Sequence, residues 1–284
     1  MKKLVMLLLC SGLLVACTSS KYSVKVSDDQ TIVSGGRIEI TKQDYFEYLL
    51  DSLGANKVLT DALTAIADKE ITNQYDIDAL LKERKELYAE YAGGNLETYA
   101  KNIGYESEEE FVNDALLPDV KQELLRNKYI EDNYESLLSD YQVTCFKKIV
   151  VDKESTALDI IEAATDEDAF DKQMSKYGTD AEDAGIVTKN STLDENLQKK
   201  LGTLSAIEKD GVYKEAIQLS DESYAVIFVY DTARENKEEY ITALTSDSDL
   251  QEEIEGIYLK QYNFTVNDKK IKNAIKQLSS QYIE

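Results

Sequence analysis

The sequence predicts an α+β fold: a mainly helical body built from the N- and C-terminal parts of the chain, with a small α/β module inserted between them. Three observations predict it. From Thr41 to Leu138, apolar residues recur at helical spacing between caps and glycines. At about residue 142 the pattern turns β-rich, and Tyr224 to Tyr230 (Tyr-Ala-Val-Ile-Phe-Val-Tyr) is apolar on both faces, as a central strand is. From Arg234 to Ile283 the helical spacing returns, and the simplest packing folds these last helices back onto the first.

The order of segments follows from composition. Lys2 and Lys3 precede an apolar run from Leu4 to Val15, and Leu14-Val15-Ala16-Cys17 closes it. A basic start, a short apolar core and small residues at the end make a signal peptide over 1–16. The run is too short to span a bilayer as a mature helix, and no later segment approaches the ~20 apolar residues a span needs. Residues 17–36 form a polar lead-in ending in Gly35-Gly36. As a flexible coil such a tether reaches roughly 25 Å on average.

Within 37–141, Arg37 to Ile40 alternates like a short strand. Thr41 then caps a helix, with Asp44 three residues on. Val58 to Ile71 is a second helix, striped by Leu59, Leu63, Ile66 and Ala67. Ile77 to Tyr91 is a third, broken by Gly93-Gly94. Leu96 to Ile103 is a short helix, and Ser107 with Glu110 is a capping box for the next. Pro118, the only proline, interrupts or kinks it, and Val120 to Leu138 continues. In 142–232, Val143 to Val151 is a strand, and Thr156 to Ala164 and Asp168 to Tyr177 are helices. Gly185 to Val187 is a strand, Leu193 to Leu201 a helix, and Val212 to Leu219 another strand. In 233–284, Ile254, Ile257, Tyr258 and Tyr262 make an apolar stripe, and Asn267 caps a final helix through Leu278.

Composition excludes several chemistries. The chain of 284 residues has no histidine, which removes the commonest general base, His-dependent triads and most zinc sites. Of three cysteines, Cys10 leaves with the leader and Cys17 stands at the cleavage site, so Cys145 is the one free thiol and no internal disulfide forms. No phosphate-binding glycine loop occurs. The acids at Asp180 to Asp183 and at Asp247 and Asp249 lack calcium-loop spacing and read as turn or cap residues. No cofactor is expected. Net charge is −23, and −25 once Lys2 and Lys3 are gone. Such a surface repels phosphate backbones, so nucleic acid is not an expected partner. It also repels anionic lipid heads, which leaves membrane attachment to acyl chains. The chain has 19 tyrosines and no tryptophan, ten of the tyrosines in or beside the N-terminal helices. Their apolar face and polar tip suit adaptable contacts, in a cradle lined by several of them, although each alone reads better as half-buried core.

Two resemblances rest on these residues. Leu14-Val15-Ala16-Cys17 resembles a bacterial lipobox, which implies cleavage before Cys17, lipid on its sulfur, and an extracytoplasmic body anchored to the cell membrane. The whole order of lipobox, helical domain, β-α-α-α-β module and helical return resembles PrsA-type foldases of Gram-positive bacteria, relatives of SurA and trigger-factor-like chaperones. In that family the middle module is a parvulin, a peptidyl-prolyl isomerase. The parvulin strand His-Ile-Leu-Val is matched by Lys148-Ile149-Val150-Val151, and the Tyr-Ser-x-Asp turn by Tyr177-Gly178-Thr179-Asp180. The Gly-Gly-Asp-Leu-Gly turn is reduced to Asp183-Ala184-Gly185. The Met and Phe that grip the proline ring align near Thr192 and Asn196 or Leu197, and Gly-Tyr-His becomes Ser223-Tyr224-Ala225. Both histidines are thus replaced, by Lys148 and Ala225. The groove of Lys148, Asp180, Asp183, Thr192, Leu197 and Ala225 is degenerate, and no catalytic residue is assigned.

The resemblance implies a membrane-anchored foldase or chaperone for unfolded, newly exported polypeptides, working without ATP or metal. Pairing of two copies into a homodimer, as in some relatives, is left open. Two alternatives accompany it. One is an active parvulin isomerase with a divergent site, since twisting a prolyl bond breaks no covalent bond and an apolar pocket can favour the twisted amide. The other is a transporter-associated substrate-binding lipoprotein, which calls for two α/β lobes where only one module is visible.

Overall fold

A hairpin opens the described chain, because Thr31 to Ser34 and Ile38 to Thr41 are short β-forming runs around a glycine turn. Strand β1 (Thr31–Gly35) pairs antiparallel with β2 (Ile38–Thr41), and Gly36 supplies the positive φ (57°) that the two-residue turn needs. The lead-in expected as coil to residue 36 is therefore strand from Thr31 onward. The signal was present: a Gly-Gly pair between β-forming runs marks a hairpin as well as a linker. The computed structural model describes residues 25–283, so the leader, Cys17 and the first part of the lead-in lie outside the described residues.

These residues fall into two units. The smaller comprises described residues 25–63 and 259–283; the larger is Thr64–Tyr258. In the smaller unit, Thr41 caps α1 (Lys42–Leu49) through a full capping box with Asp44. A π-wound turn, Leu50–Gly54, joins α1 to α2 (Ala55–Glu70), the helix whose later residues enter the larger unit. The C-terminal helix packs on this turn: a Cβ on buried Gly54 would meet Ile271 at 4.0 Å, and Lys270 ion-pairs with Asp51.

The larger unit begins with helices. After α2 come α3 (Gln74–Tyr91) and α4 (Leu96–Asn102), the latter capped by Asn95. Next is α5 (Glu108–Phe111), capped by Ser107. Pro118 does not break the next helix. It sits in the first turn of α6 (Leu117–Asp132), and a π-wound turn, Val112–Leu116, absorbs its missing N–H, with Leu117 N–H bonded to the Val112 carbonyl. The helix expected through Leu138 is interrupted at Asn133, after which α7 (Tyr134–Asp140) begins. Phe111 is the hub of this region, with the rings of Tyr88, Tyr99 and Tyr105 at 5.6, 5.7 and 5.2 Å. Leu96, Ala100 and Leu116 complete that cluster.

The sheet comes after these helices. Strand β3 (Thr144–Val151) leads to α8 (Glu154–Ala163), α9 (Glu167–Tyr177) and a short 3-10 turn, Gly178–Asp180. Strand β4 (Ala181–Val187), helix α10 (Glu195–Ser205), the two-residue strands β5 (Gly211–Val212) and β6 (Ile217–Gln218), and β7 (Tyr224–Tyr230) complete the module. The order is β4-β3-β7-β5 with β6 also on β7, and each described pairing is antiparallel. The single strand expected over Val212 to Leu219 is thus two short pieces. Strand β7 is central as expected, buried from Ala225 to Val229. Alternation sends Ile149, Val151, Val226 and Phe228 to one face, against Ile160, Ile161 and Phe170 of α8 and α9. Phe146, Ala225, Ile227 and Val229 go to the other, against Leu197, Leu201 and Leu204 of α10.

The last helices are α11 (Lys237–Thr245), α12 (Ser248–Gln261) and α13 (Lys269–Leu278). Within the larger unit, α11 and α12 meet α6: Arg126 pairs with Glu255 at 3.0 Å and Tyr129 meets Tyr258 edge-on at 6.0 Å. Helix α13 is capped by Asp268, not by Asn267 as the sequence suggested; the Asp268 carboxylate accepts from the Lys270 and Ile271 amides. The fold is mainly helical with one small sheet module. No described helix is long and apolar enough to cross a membrane.

Candidate functional site

The expected groove residues are carried by β3, β4, α10 and β7. Opposed residues of paired strands share a face, so Lys148 (opposite Ile227) and Ala225 (opposite Val150) lie on the α10 side of the sheet. Lys148 is half-buried and its ammonium pairs with Glu182, its register partner on β4, at 2.8 Å. Ala225 is fully buried, and Leu197, in the first turns of α10, belongs to the same core cluster. Leu193, Tyr213 and Leu219 pack over that cluster from the rim. Leu197 and Ala225, the apolar members of the expected groove, are therefore buried in the sheet module's core. Thr192 is exposed in the loop before α10, and Asp180 is exposed at the end of the 3-10 turn. Neither meets Lys148 through any described bond or ion pair.

Asp183 shapes the edge of the sheet. A bulge interrupts the β3–β4 register between Phe146 and Lys147, and Gly185 there has φ +63°. The Asp183 carboxylate accepts from the Gly185 amide at 3.0 Å and from the Tyr230 hydroxyl at 2.7 Å. Tyr230 faces the buried Cys145, and burial makes both weaker acids: the phenol pKa goes up, and the thiol is pushed up to about 11. Cys145 is thus a protonated, packed thiol at neutral pH with no nucleophilic character.

Sequence reasoning missed Asp194. It caps α10 through the Asn196 amide and holds the Ser220 amide at 2.9 Å as well as the Ser220 hydroxyl. The Ser220 hydroxyl leads the bonds that hold its carboxyl down at about 2. It pins the loop before β7 to the start of α10. An acid just before a helix was the readable signal; its long-range partner was not.

Two clefts flank α11 within the larger unit. One, of about 770 Å³, lies against α6 and is lined by Glu123, Asn127, Glu131, Glu238, Ile241 and Thr245 among others. The other, of about 520 Å³, lies against the sheet and is lined by Cys145, Ile186, Tyr230, Asp231 and Glu239 among others. Acidic side chains line both, yet apolar surface makes up about half of the first and most of the second. Among the described residues no group of three or more Cys, Asp or Glu is placed to hold a metal ion.

Most of the described N-terminal tyrosines are structural. Tyr88, Tyr99 and Tyr105 surround Phe111; Tyr129 packs on Tyr258; Tyr134 and Tyr141 are buried. The exposed ones are Tyr45 and Tyr48, stacked at 6.5 Å on α1, and Tyr91, which is 80% exposed at the end of α3. A continuous tyrosine-lined cradle is not what these residues build.

Comparison with known proteins agrees with this architecture. No family model matches the chain. The chain is 23% identical over 287 residues to the foldase protein PrsA of Pediococcus pentosaceus, covering 92% of this chain and 93% of that protein. It is 24% identical over 282 residues to foldase protein PrsA 1 of Lactobacillus johnsonii, covering 88% of this chain and 91% of the relative. Among solved structures, one described as a peptidylprolyl isomerase (PrsA) from Bacillus cereus matches with a TM-score of 0.51 at 17% identity, over 89% of this chain and all of that one. The likeness to PrsA foldases therefore extends along nearly the whole chain, and the fold is shared.

Proposed function

We propose that this protein is an extracytoplasmic foldase of PrsA type, anchored by lipid on Cys17, that holds newly exported unfolded polypeptides and assists their folding without ATP. One observation carries the reading: similarity to foldases runs through about nine-tenths of the chain, in step with a helical region, one sheet module and helices that return to α6. The functional segments follow as 17–36 for the tether, 37–141 and 233–284 for the client-holding helices, and 142–232 for the parvulin-like module. Client contact falls to the clefts beside α11 and to exposed aromatics such as Tyr91. High negative charge keeps client complexes soluble.

The test is client aggregation. Purified protein at stoichiometric ratio delays light scattering by a chemically unfolded client; an unchanged time course overturns the reading. Lipidation is tested separately, by incorporation of a labelled fatty acid that Cys17→Ala abolishes.

A second reading, prolyl isomerase activity, is favoured by the retained sheet module and opposed by the absence of histidine and the burial of Leu197 and Ala225. A protease-coupled assay on Xaa-Pro peptides decides it, and the uncatalysed rate is the expected result.

A further inference from the structure

The two units differ sharply in charge. Residues 64–258 carry 20 basic and 46 acidic side chains, a net −26. Residues 25–63 and 259–283 carry nine basic and eight acidic, a net +1. The stretch 259–283 alone has five lysines and one acid, and four of the lysines lie on α13. Their arrangement is ordered. Ile271, Ala274, Ile275 and Leu278 form the apolar stripe, and Ile275 is fully buried. Lys269, Lys272 and Lys276 stand at i, i+3 and i+7, which places them in one row on the opposite side of the helix. Lys269 and Lys276 are exposed and Lys272 is half-exposed. The helix dipole accounts for Lys276 in the last turn but not for Lys269 in the first, where a cation is disfavoured, so helix stability does not explain the whole row.

We propose that the lysine row of α13 is a docking surface for an anionic phospholipid bilayer. The inference rests on the proposed lipid at Cys17, which keeps a bilayer within reach of this unit: 13 residues separate Cys17 from β1, a contour of at most about 50 Å. Charge complementarity selects the bilayer, and screening makes the local charge decide. At physiological salt, charges more than ~8 Å from the surface are largely hidden, so the lysines of α13 itself, rather than the net charge of the chain, decide the attraction. The sequence-level expectation that the whole chain repels anionic lipid therefore gives way, for this face, to attraction. The lipid tether raises the effective concentration at the bilayer, so a weak patch is enough to orient the unit.

The test uses the chain from residue 18 onward, which keeps every described residue and carries no lipid, so its outcome does not depend on whether Cys17 is acylated. Co-sedimentation with vesicles containing phosphatidylglycerol, at low ionic strength, is expected to exceed that with pure phosphatidylcholine and to fall as salt rises. Each lysine near an anionic surface is worth about fivefold in binding, so K269Q/K272Q/K276Q is expected to lower vesicle binding about a hundredfold. The same three sites changed to Arg restore it, and an unchanged melting curve for both variants shows that the fold is intact. The proposal is overturned by equal sedimentation with neutral and anionic vesicles, by unchanged binding of the triple variant, or by binding to soluble polyphosphate with none to vesicles, which would make the row a site for an anionic polymer.

Discussion

The smaller and the larger unit spend their apolar residues differently. All of the largest fully buried side chains, among them Phe146, Phe170, Phe228, Tyr141 and Tyr240, belong to the larger unit. The smaller unit instead leaves Ile32, Val33, Ile38, Tyr45, Tyr48 and Leu53 about half or more exposed. Alternating strands between two helical layers give each face of the module a closed core. A two-stranded hairpin has no third layer, and such hairpins are marginal alone. The larger unit also exposes Tyr91, Ile103 and Leu158, so the contrast lies in how completely each unit closes a core rather than in which one offers apolar surface.

The largest expected effect tests the closed core. Phe228→Ala removes a ring packed at 5.3 Å against Phe170 and costs about 3–5 kcal/mol, read by denaturant unfolding. Tyr48→Ala, made as its counterpart, is expected to cost under about 0.5 kcal/mol, because its site is already wet. Similar losses at the two positions would break the comparison.

Arg126→Ala comes next. Its pair with Glu255 is largely buried, so removing the guanidinium takes a charge partner from a mostly buried carboxylate and costs about 1–3 kcal/mol. A loss near zero would show that the return of α12 to α6 rests on apolar packing alone. The loss of a helix cap is smaller: Thr41→Ala opens the capping box of α1 and costs about 1 kcal/mol. It is expected to quicken amide exchange in α1 while leaving β3 and β7 slow.

The pH dependence sharpens the comparison within the sheet module. The Asp194 carboxyl sits at about 2, below its ordinary 3.8. A depressed acid contributes stability that is present above the ordinary value and lost as pH falls through the lowered one. Asp194→Asn is therefore expected to lower stability at neutral pH and to flatten the acid limb, the difference from the parent chain closing as pH falls from about 4 to about 2, followed by denaturant unfolding against pH. An acid limb identical to that of the parent chain would show that the bonds to Ser220 do not hold the loop before β7.

Local signals in the chain were largely readable. The Thr41–Asp44 box, the Ser107 cap, the β3 and β7 strands and the switch at about residue 142 each depend on neighbouring residues, and each stands where its pattern pointed. The final cap was missed by one residue, because Asn267 and Asp268 are both good caps and only the backbone geometry chooses. The hairpin at β1 was missed because a glycine pair serves a linker and a turn equally well. Pro118 marked a disturbance, but whether a helix breaks or widens depends on what holds it, and α3 packs beside α6.

Sequence by itself determined the helical and strand periods, the lack of histidine chemistry, and the whole-chain likeness to foldases, because these follow from residue identity and short-range spacing. Only the tertiary structure decided that Leu197 and Ala225 are core rather than groove, that most of the N-terminal tyrosines are packed, and that the charge divides into −26 and +1. The physical reason is the same in each case. Burial and local field are sums over neighbours brought from distant parts of the chain, and no window of sequence contains those sums.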